Sequence, residues 1–187
     1  MAMKTDAARS CTVSTPDGPF TIVTGHGGSD GAADGVDRTD YVLASGWTAE
    51  IAELVGLIHP SLRPSRTEAL PEEECDGLLA RAVAAVRSYY CGENSAPGDV
   101  GGPFIERAWS RLREVPAGTT LTYTELARIS GNPAASRAAA SACARNAAAL
   151  FVPCHRVRRS DGGIGGFRYG AAVKSALLRR EETPGLE

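Results

Sequence analysis

The chain has 187 residues, 43% of them hydrophobic, and a net charge of −2 at pH 7, a composition that is ordinary for a globular protein. No apolar run approaches the roughly 18–20 residues of a membrane span, and residues 1–14 lack the apolar core of a secretory signal. We therefore expect a cytoplasmic protein with reduced thiols and no membrane partner.

The charge is unevenly distributed along the chain. Residues 1–100 carry 7 Lys and Arg against 15 Asp and Glu, whereas residues 101–187 carry 13 against 7. A basic half favours binding to a phosphate backbone. Solvated faces that segregate by chance would give the same asymmetry, so the charge alone leaves both interpretations open.

The N-terminal half begins with strand signals. Two β-branched runs flank Pro16-Asp17-Gly18-Pro19, which predicts a hairpin over residues 11–24. Residues 25–40 are rich in Gly and Asp and predict a mobile loop. A third strand is expected over residues 40–47.

Two helices are predicted to follow these strands. Apolar residues recur with a helical period over residues 48–58, where Thr48 is a candidate N-cap. Pro71 and three acidic residues open a second helix that runs to about Tyr90. Its expected buried stripe is Leu78, Leu79, Ala82, Val86 and Tyr90. Residues 91–102 have the Gly, Pro and Asn content of a linker, and we place the domain boundary between residues 100 and 101.

The C-terminal half predicts a helical domain. Pro103 opens a helix that ends before Pro116. Its expected buried stripe is Phe104, Ala108, Trp109, Leu112 and Val115. Thr122 and Glu125 have the spacing of a capping box at the start of a short helix. Gly131 then turns the chain into a helix over residues 134–146, so the pair is a candidate helix-turn-helix.

The second helix of that pair is almost without bulk, since most of its residues are alanine while Arg137 and Arg145 project. A thin, basic helix can approach another surface closely. A tightly packed internal helix would be equally rich in alanine, but an unpaired buried Arg137 would be costly.

The strongest candidate for chemistry is Pro153-Cys154-His155-Arg156-Val157, where a thiol lies beside a base and next to basic residues. A thiol with a pKa near ~8.5 needs such neighbours to act as a nucleophile. Cys154 as a small core residue is the alternative interpretation. The five cysteines and three histidines show no paired zinc-ligand spacing, so we predict no metal.

Together with their flanks, these residues resemble the O6-alkylguanine-DNA alkyltransferases over about residues 101–182, and most closely the alkyltransferase domain of bacterial adaptive-response proteins. The resemblance rests on the following residues: Phe104, Trp109, Leu112, Pro116-Ala117-Gly118-Thr119, Thr122-Tyr123, Leu126-Ala127, Gly131-Asn132-Pro133, Arg137, Asn146, the Pro153 to Val157 string, Gly165-Gly166-Phe167 and Leu177-Leu178-x-x-Glu181.

The resemblance implies single-turnover repair without a cofactor. The protein would bind double-stranded DNA containing O6-alkylguanine as a monomer, flip the base, and transfer the alkyl group to Cys154 as a methylated-DNA–[protein]-cysteine S-methyltransferase. His155 would accept the thiol proton through a water, and Glu181 would orient the imidazole. Tyr123 matches the tyrosine that donates near N3 of the leaving guanine, and Asn146 matches the asparagine that braces the turn before the active-site strand.

The resemblance also implies a DNA-binding face and a substrate pocket. Arg137 matches the arginine that replaces the flipped base in the stack. The face that enters the minor groove would be Ala135, Ser136, Ala138 and Ala140. The pocket would be lined by Val157, Phe167, Arg168 and Cys143. Phe167 stands where many members have tyrosine, so the ring remains but its hydroxyl is lost.

The implied fold class is α/β, with an N-terminal RNase H-like α/β domain (1–100) and a mostly helical winged helix-turn-helix domain (101–187). The N-terminal half resembles the family only loosely. Some members hold zinc in this half with two Cys and two His, but Cys11, Cys75, Cys91, His26 and His59 do not reproduce that spacing.

Two other functions fit parts of the sequence. A non-catalytic sensor would bind alkylguanine in DNA and recruit other factors, although homologous sensors replace the acceptor cysteine. A thiol that accepts alkyl groups from a small metabolite would need no DNA.

Overall fold

The computed structural model of the chain describes residues 7–26, 40–91 and 103–182 and has a mixed α/β fold. It divides into two compact units, Met1–Val86 and Arg87–Glu187. The boundary that we predict at residues 100–101 lies outside the described residues, as do residues 27–39 of the predicted loop.

The first unit is built on a four-stranded sheet. Its strands are β1 (Ala7–Thr15), β2 (Gly18–His26), β3 (Asp40–Gly46) and β4 (Arg66–Ala69), in the order β3-β2-β1-β4. The predicted hairpin is confirmed, since Thr15 pairs with Gly18 across a two-residue turn. The third strand is also present and ends at Gly46.

β4 was not predicted. It pairs in parallel with β1, but only one of its four residues is even partly buried. Because its side chains show no apolar alternation, nothing in its pattern distinguishes it from a loop. The apolar interior beside the sheet includes Phe20, whose ring meets that of Trp47 edge-on at a centroid distance of 4.8 Å.

The first predicted helix is present but shorter than expected. α1 covers Ile51–Leu57, and its N-cap is Glu50 rather than Thr48. The Thr48 hydroxyl instead accepts the Glu50 N–H at 3.0 Å and donates to Glu53 at 3.1 Å. It thereby closes the turn before the helix instead of capping it.

The predicted helix over residues 71–90 is two elements. A short 3₁₀ turn, Glu72–Glu74, precedes α2 (Gly77–Tyr90). Gly77 has φ +53°, a left-handed conformation that interrupts a continuous helix. The stripe is buried as predicted at Leu78, Leu79, Ala82 and Val86. In the last turn, however, the buried tyrosine is Tyr89, whereas Tyr90 is partly exposed.

The second unit contains the end of α2, from Arg87 to Tyr90, and the elements that follow it. They are α3 (Pro103–Arg113), β5 (Leu121–Thr122), α4 (Tyr123–Ile129), α5 (Ser136–Ala144), β6 (Val157–Arg158) and α6 (Ala171–Glu182), with β5 parallel to β6. On α3, Ala108 and Leu112 are buried and the Trp109 indole N–H donates to the Ala142 carbonyl at 2.9 Å. The Phe104 side chain lies outside the described residues. Val115 is buried just beyond the helix.

α5 is shorter than the predicted range of 134–146. Asn132 accepts the N–H groups of Ala134 (3.2 Å, side chain) and Ala135 (3.0 Å, backbone), so these residues belong to the turn. At the other end, the chain leaves the helix after Ala144 and the Asn146 side chain turns inward to bond the following loop.

The predicted capping box at α4 is confirmed. The Thr122 hydroxyl accepts the Glu125 N–H at 3.1 Å, and the Glu125 carboxylate accepts the Thr122 N–H at 2.7 Å. Thr122→Ala is expected to lower the free energy of unfolding by about 1 kcal/mol, because a terminal N–H loses its acceptor. Urea titration measures this loss. The control is Thr124→Ala, which removes an exposed hydroxyl of the same helix. An equal effect of both variants would contradict the capping role.

Candidate active site

The loop from Asn146 to Cys154 is held by one buried side chain. Asn146 Nδ2 donates to the Val152 carbonyl at 2.7 Å and to Cys154 Sγ at 3.1 Å, while its Oδ1 accepts the Ala148 N–H at 3.0 Å. Leu150 adopts φ +72°, a strained conformation for a branched residue. Asn146 therefore fixes both the tight loop and the position of the thiol.

Cys154 lies at the start of a 3₁₀ turn, Cys154–Arg156, with only 7% of its surface exposed. It contributes to the wall of a cavity of about 470 Å³ in the second unit. Burial raises the pKa of the thiol, while the hydrogen bond from Asn146 and the charge of Lys174 oppose this rise. The thiol is thus protonated at neutral pH and needs a base in order to react.

His155 is fully buried and paired with Glu181. His155 Nε2 and Glu181 Oε1 are 2.7 Å apart. Burial alone would raise the pKa of Glu181, but hydrogen bonds from His155 and Arg156 outweigh it and lower the pKa to about 2. An ionised carboxylate only accepts hydrogen bonds, so Nε2 carries the proton.

The remaining ring nitrogen of His155 is then a base. Burial lowers the pKa of the imidazole, although Glu181 opposes the shift, so the neutral ring prevails at neutral pH. Nδ1 is buried and has no protein hydrogen-bond partner among the described residues. A neutral imidazole with Nε2–H presents a lone pair on Nδ1, and this atom can therefore accept a proton.

Arg156, which the sequence suggested as one of several basic neighbours of the thiol, instead binds Glu181. It donates to Glu181 through Nε (2.8 Å to Oε2) and Nη2 (2.9 Å to Oε1), and through Nη1 to the Val115 carbonyl. The Gly118 N–H lies 3.4 Å from Oε2. Gly118 has φ +75°, and a Cβ there would lie 2.9 Å from the Glu181 carbonyl oxygen, which explains glycine at this position.

Lys174 is a residue that the sequence interpretation missed. It is fully buried, and its ammonium donates to the carbonyls of Val157 at 2.6 Å and Gly166 at 3.4 Å. Burial lowers its pKa, which the charges of ionised Cys154 and Cys143 would counter. The signal was present in the helical spacing: Lys174 precedes Leu177, Leu178 and Glu181 on one face of α6, and all four are buried.

Half of the predicted site residues meet at the cavity. Tyr123, Cys143, Asn146, Cys154, Phe167 and Arg168 all line it, as does Ala140 of the predicted DNA face. Val157 is not among these lining residues; it is fully buried in β6, where it pairs with Leu121. His155 and Glu181 also lie outside the lining and form a buried pair.

The pocket residues are held by further contacts. Burial raises the pKa of Tyr123 and of Cys143, which keeps both groups protonated. Arg168 donates to the Ala144 carbonyl at the end of α5 at 2.6 Å. The Phe167 ring meets His155 edge-on at a centroid distance of 6.5 Å.

The predicted DNA-binding residues lie at the start of α5. Arg137 is exposed, whereas Ala135, Ser136, Ala138 and Ala140 are partly exposed and Ala139 and Ala142 are buried. α5 therefore has one buried and one accessible face, and the internal-helix alternative is wrong for Arg137.

The described residues contain neither a membrane-spanning helix nor a cluster of metal-binding side chains. None of the helices within residues 7–26, 40–91 and 103–182 is long and apolar enough to cross a membrane. Over the same ranges, no three His, Cys, Asp or Glu side chains cluster where they could hold a metal ion.

Known proteins match this chain in sequence and in structure. The family described as 6-O-methylguanine DNA methyltransferase, DNA binding domain, matches residues 103–183. A methylated-DNA–protein-cysteine methyltransferase of Mycobacterium bovis is 32% identical over 177 residues, which are 92% of this chain and 91% of that protein. The Mycobacterium tuberculosis protein OGT, solved in complex with DNA, superposes with a TM-score of 0.66 and 28% identity over 95% of this chain and 94% of that one.

Another relative is much longer than this chain. The bifunctional transcriptional activator and DNA repair enzyme Ada of Escherichia coli is 49% identical over 81 residues, which are 43% of this chain but only 23% of Ada. The M. bovis alignment, in contrast, runs through both units. On this combined evidence the chain belongs to the family of methylated-DNA–protein-cysteine methyltransferases.

Proposed function

We propose that this protein repairs O6-alkylguanine in duplex DNA by moving the alkyl group, methyl in the simplest case, onto Cys154. The observation that carries the proposal is the environment of that thiol: it faces a cavity of about 470 Å³, and the next residue in the chain is the buried His155, which is paired with Glu181. The names of the M. bovis methyltransferase and of the DNA-bound M. tuberculosis structure support it.

The proposed step is a single displacement at the alkyl carbon. The thiol proton passes to His155 Nδ1 through a water, the sulfur forms a bond to the carbon, and the bond from that carbon to O6 breaks. Tyr123 donates towards N3 of the leaving guanine as negative charge develops there. The product is a thioether, so Cys154 is consumed and each molecule acts once.

The charges of the site support this order of events. A thiol whose pKa is raised by burial is not already a thiolate, and an imidazole whose pKa is lowered by burial is free to act as base. Lys174 supplies a buried positive charge that favours the thiolate as it forms. Deprotonation of Cys154 therefore depends on His155 as the base.

We also propose the finer fold assignments that the family resemblance implies. Residues 1–100 form an RNase H-like domain, supported by an antiparallel β1–β2–β3 sheet in which β4 runs parallel beside β1. Residues 101–187 form a winged helix-turn-helix domain, supported by α4, α5 and the small β5–β6 sheet. The protein would act as a cytoplasmic monomer.

DNA would be bound by the accessible face of α5. Small side chains at Ala135, Ser136, Ala138 and Ala140 allow a close approach to the minor groove, and exposed Arg137 fills the place of the flipped base. This role offsets part of an unstacking cost of a few kcal/mol.

Arg137→Ala is accordingly expected to slow repair of alkylated duplex by at least about tenfold and to leave reaction with free O6-benzylguanine within about twofold of wild type. Only the duplex reaction requires a base to be extruded. Rates of adduct formation with the two substrates measure the difference. Arg145→Ala, an exposed arginine at the other end of α5, is the control. Equal losses on both substrates in the Arg137 variant would refute the flipping role.

The function itself is tested by stoichiometry. Excess duplex containing O6-methylguanine is incubated with a known amount of protein, and the remaining lesion is counted. We expect one lesion lost per protein molecule and no further turnover. Tight binding with no lesion lost would instead identify a sensor. A reaction with small O6-alkylated compounds that duplex DNA neither supports nor inhibits would identify the metabolite alternative.

A further inference from the structure

Besides His155 and Arg156, a third side chain donates a hydrogen bond to the carboxylate of Glu181. The hydroxyl of Tyr89, on α2, donates to Oε1 at 2.9 Å in a buried hydrogen bond. The same oxygen faces His155 Nε2 at 2.7 Å and Arg156 Nη2 at 2.9 Å. Tyr89 lies outside residues 103–183, which match the family's DNA-binding domain, and so no motif of that segment contains it.

Three donors on one carboxylate oxygen compete with one another. An oxygen of this kind has about two lone-pair directions, so each additional donor weakens the hydrogen bonds of the others. The hydroxyl of Tyr89 offsets part of the negative charge on Glu181 Oε1. Without this hydroxyl, that charge would stabilise a protonated His155 more strongly. Arg156 acts in the same direction through both oxygens.

The charged and titratable groups around His155 come from three elements. Glu181 and Lys174 lie on α6, Arg156 follows His155 in the 3₁₀ turn, and Tyr89 contacts Glu181 from α2. Of these, only Glu181 favours the protonated ring. Burial and the charge of Glu181 raise the pKa of Tyr89, so its hydroxyl remains a donor across the neutral range.

From this arrangement we infer that Tyr89 is a positioning residue for the proposed transfer: it holds Oε1 of Glu181 and limits how strongly that carboxylate retains a proton on His155. The inference rests on the proposed function of the site for its effect on transfer, but its effect on His155 is a property of the free protein. The functional unit then includes the end of α2 together with the segment that matches the family.

The test compares Tyr89→Phe with Tyr90→Phe. Tyr90 is the neighbouring, partly exposed tyrosine, and its ring would keep its contact with Arg180, whose guanidinium carbon lies 4.6 Å from the ring centroid. In protein isotopically labelled at histidine, NMR measures the chemical shifts of the three imidazoles as a function of pH. A His155→Asn variant identifies the signal of His155. Rates of transfer from O6-methylguanine duplex are measured over the same pH range.

In Tyr89→Phe, the pH midpoint of His155 is expected to rise by roughly half a unit or more, because Glu181 loses a competing donor. The acid limb of the rate profile should move by the same amount, and Tyr90→Phe should match wild type in both measurements. A folded Tyr89→Phe protein whose His155 midpoint is unchanged or lower would overturn the inference. Absence of transfer by the wild-type protein would overturn the proposed function alone, since the NMR measurement needs no reaction.

Discussion

Cys154→Ala is expected to abolish alkyl transfer, with a loss of at least about 10⁴-fold, and to leave binding of alkylated duplex within about twofold of wild type. The reason is that the sulfur is the atom to which the new bond is made, while the proposed DNA-binding face lies on α5. Transfer is measured as loss of O6-methylguanine from a labelled duplex, and binding as the Kd for the same duplex at fixed salt.

Two other cysteines provide the controls for this variant. Cys91→Ala removes an exposed thiol outside the cavity and should react as wild type does. Cys143→Ala removes the second thiol that lines the cavity and should still transfer the alkyl group. Residual transfer by Cys154→Ala, together with loss of transfer in Cys143→Ala, would show that the acceptor is Cys143 and not Cys154.

Glu181→Ala is expected to have the largest effect on stability and to lower the free energy of unfolding by about 3–5 kcal/mol. The substitution leaves the buried guanidinium of Arg156 without its carboxylate and removes the acceptor of His155 and Tyr89. Urea unfolding followed by circular dichroism measures the loss. Glu182→Ala, at the exposed next position of α6, should change stability by less than about 0.5 kcal/mol.

The pH dependence of this contribution has a defined sign. The pKa of Glu181 falls from its ordinary value of 4.5 to about 2 in the folded protein, so its ionised form stabilises the fold above about pH 4.5. That contribution is lost as the pH falls towards 2. The stability gap between wild type and Glu181→Gln should therefore narrow over this range. A gap that stays constant would show that the carboxylate charge is not what stabilises the site.

Local signals in the sequence predicted much of the architecture. Turn chemistry located the hairpin at Pro16 to Pro19, and the spacing of Thr122 and Glu125 predicted the start of α4, since both depend on interactions within a few residues. The same reasoning failed for β4 and for the start of α2. β4 is set by parallel pairing to a distant strand, and α2 by the left-handed conformation of Gly77.

Site residues that belong to a sequence motif could be predicted, whereas residues that reach the site only through packing between elements could not. Tyr123, Asn146, Cys154 and Phe167, which the family resemblance indicated as site residues, line one cavity. Lys174, Tyr89 and the role of Arg156 were missed because each acts through a contact between elements that are separated in sequence. Val157, predicted as a pocket wall, is fully buried in β6 beside Leu121.

The identity of the alkylated residue is the central claim, and tryptic mapping decides it. Cleavage after arginine separates the two thiols of the cavity, with Cys143 in the peptide of residues 138–145 and Cys154 in that of residues 146–156. After reaction with O6-methylguanine duplex, we expect a gain of about 14 Da, one methylene, on the 146–156 peptide alone, at one group per protein molecule. The same gain on the 138–145 peptide, or an unmodified protein after the lesion has disappeared, would contradict the account.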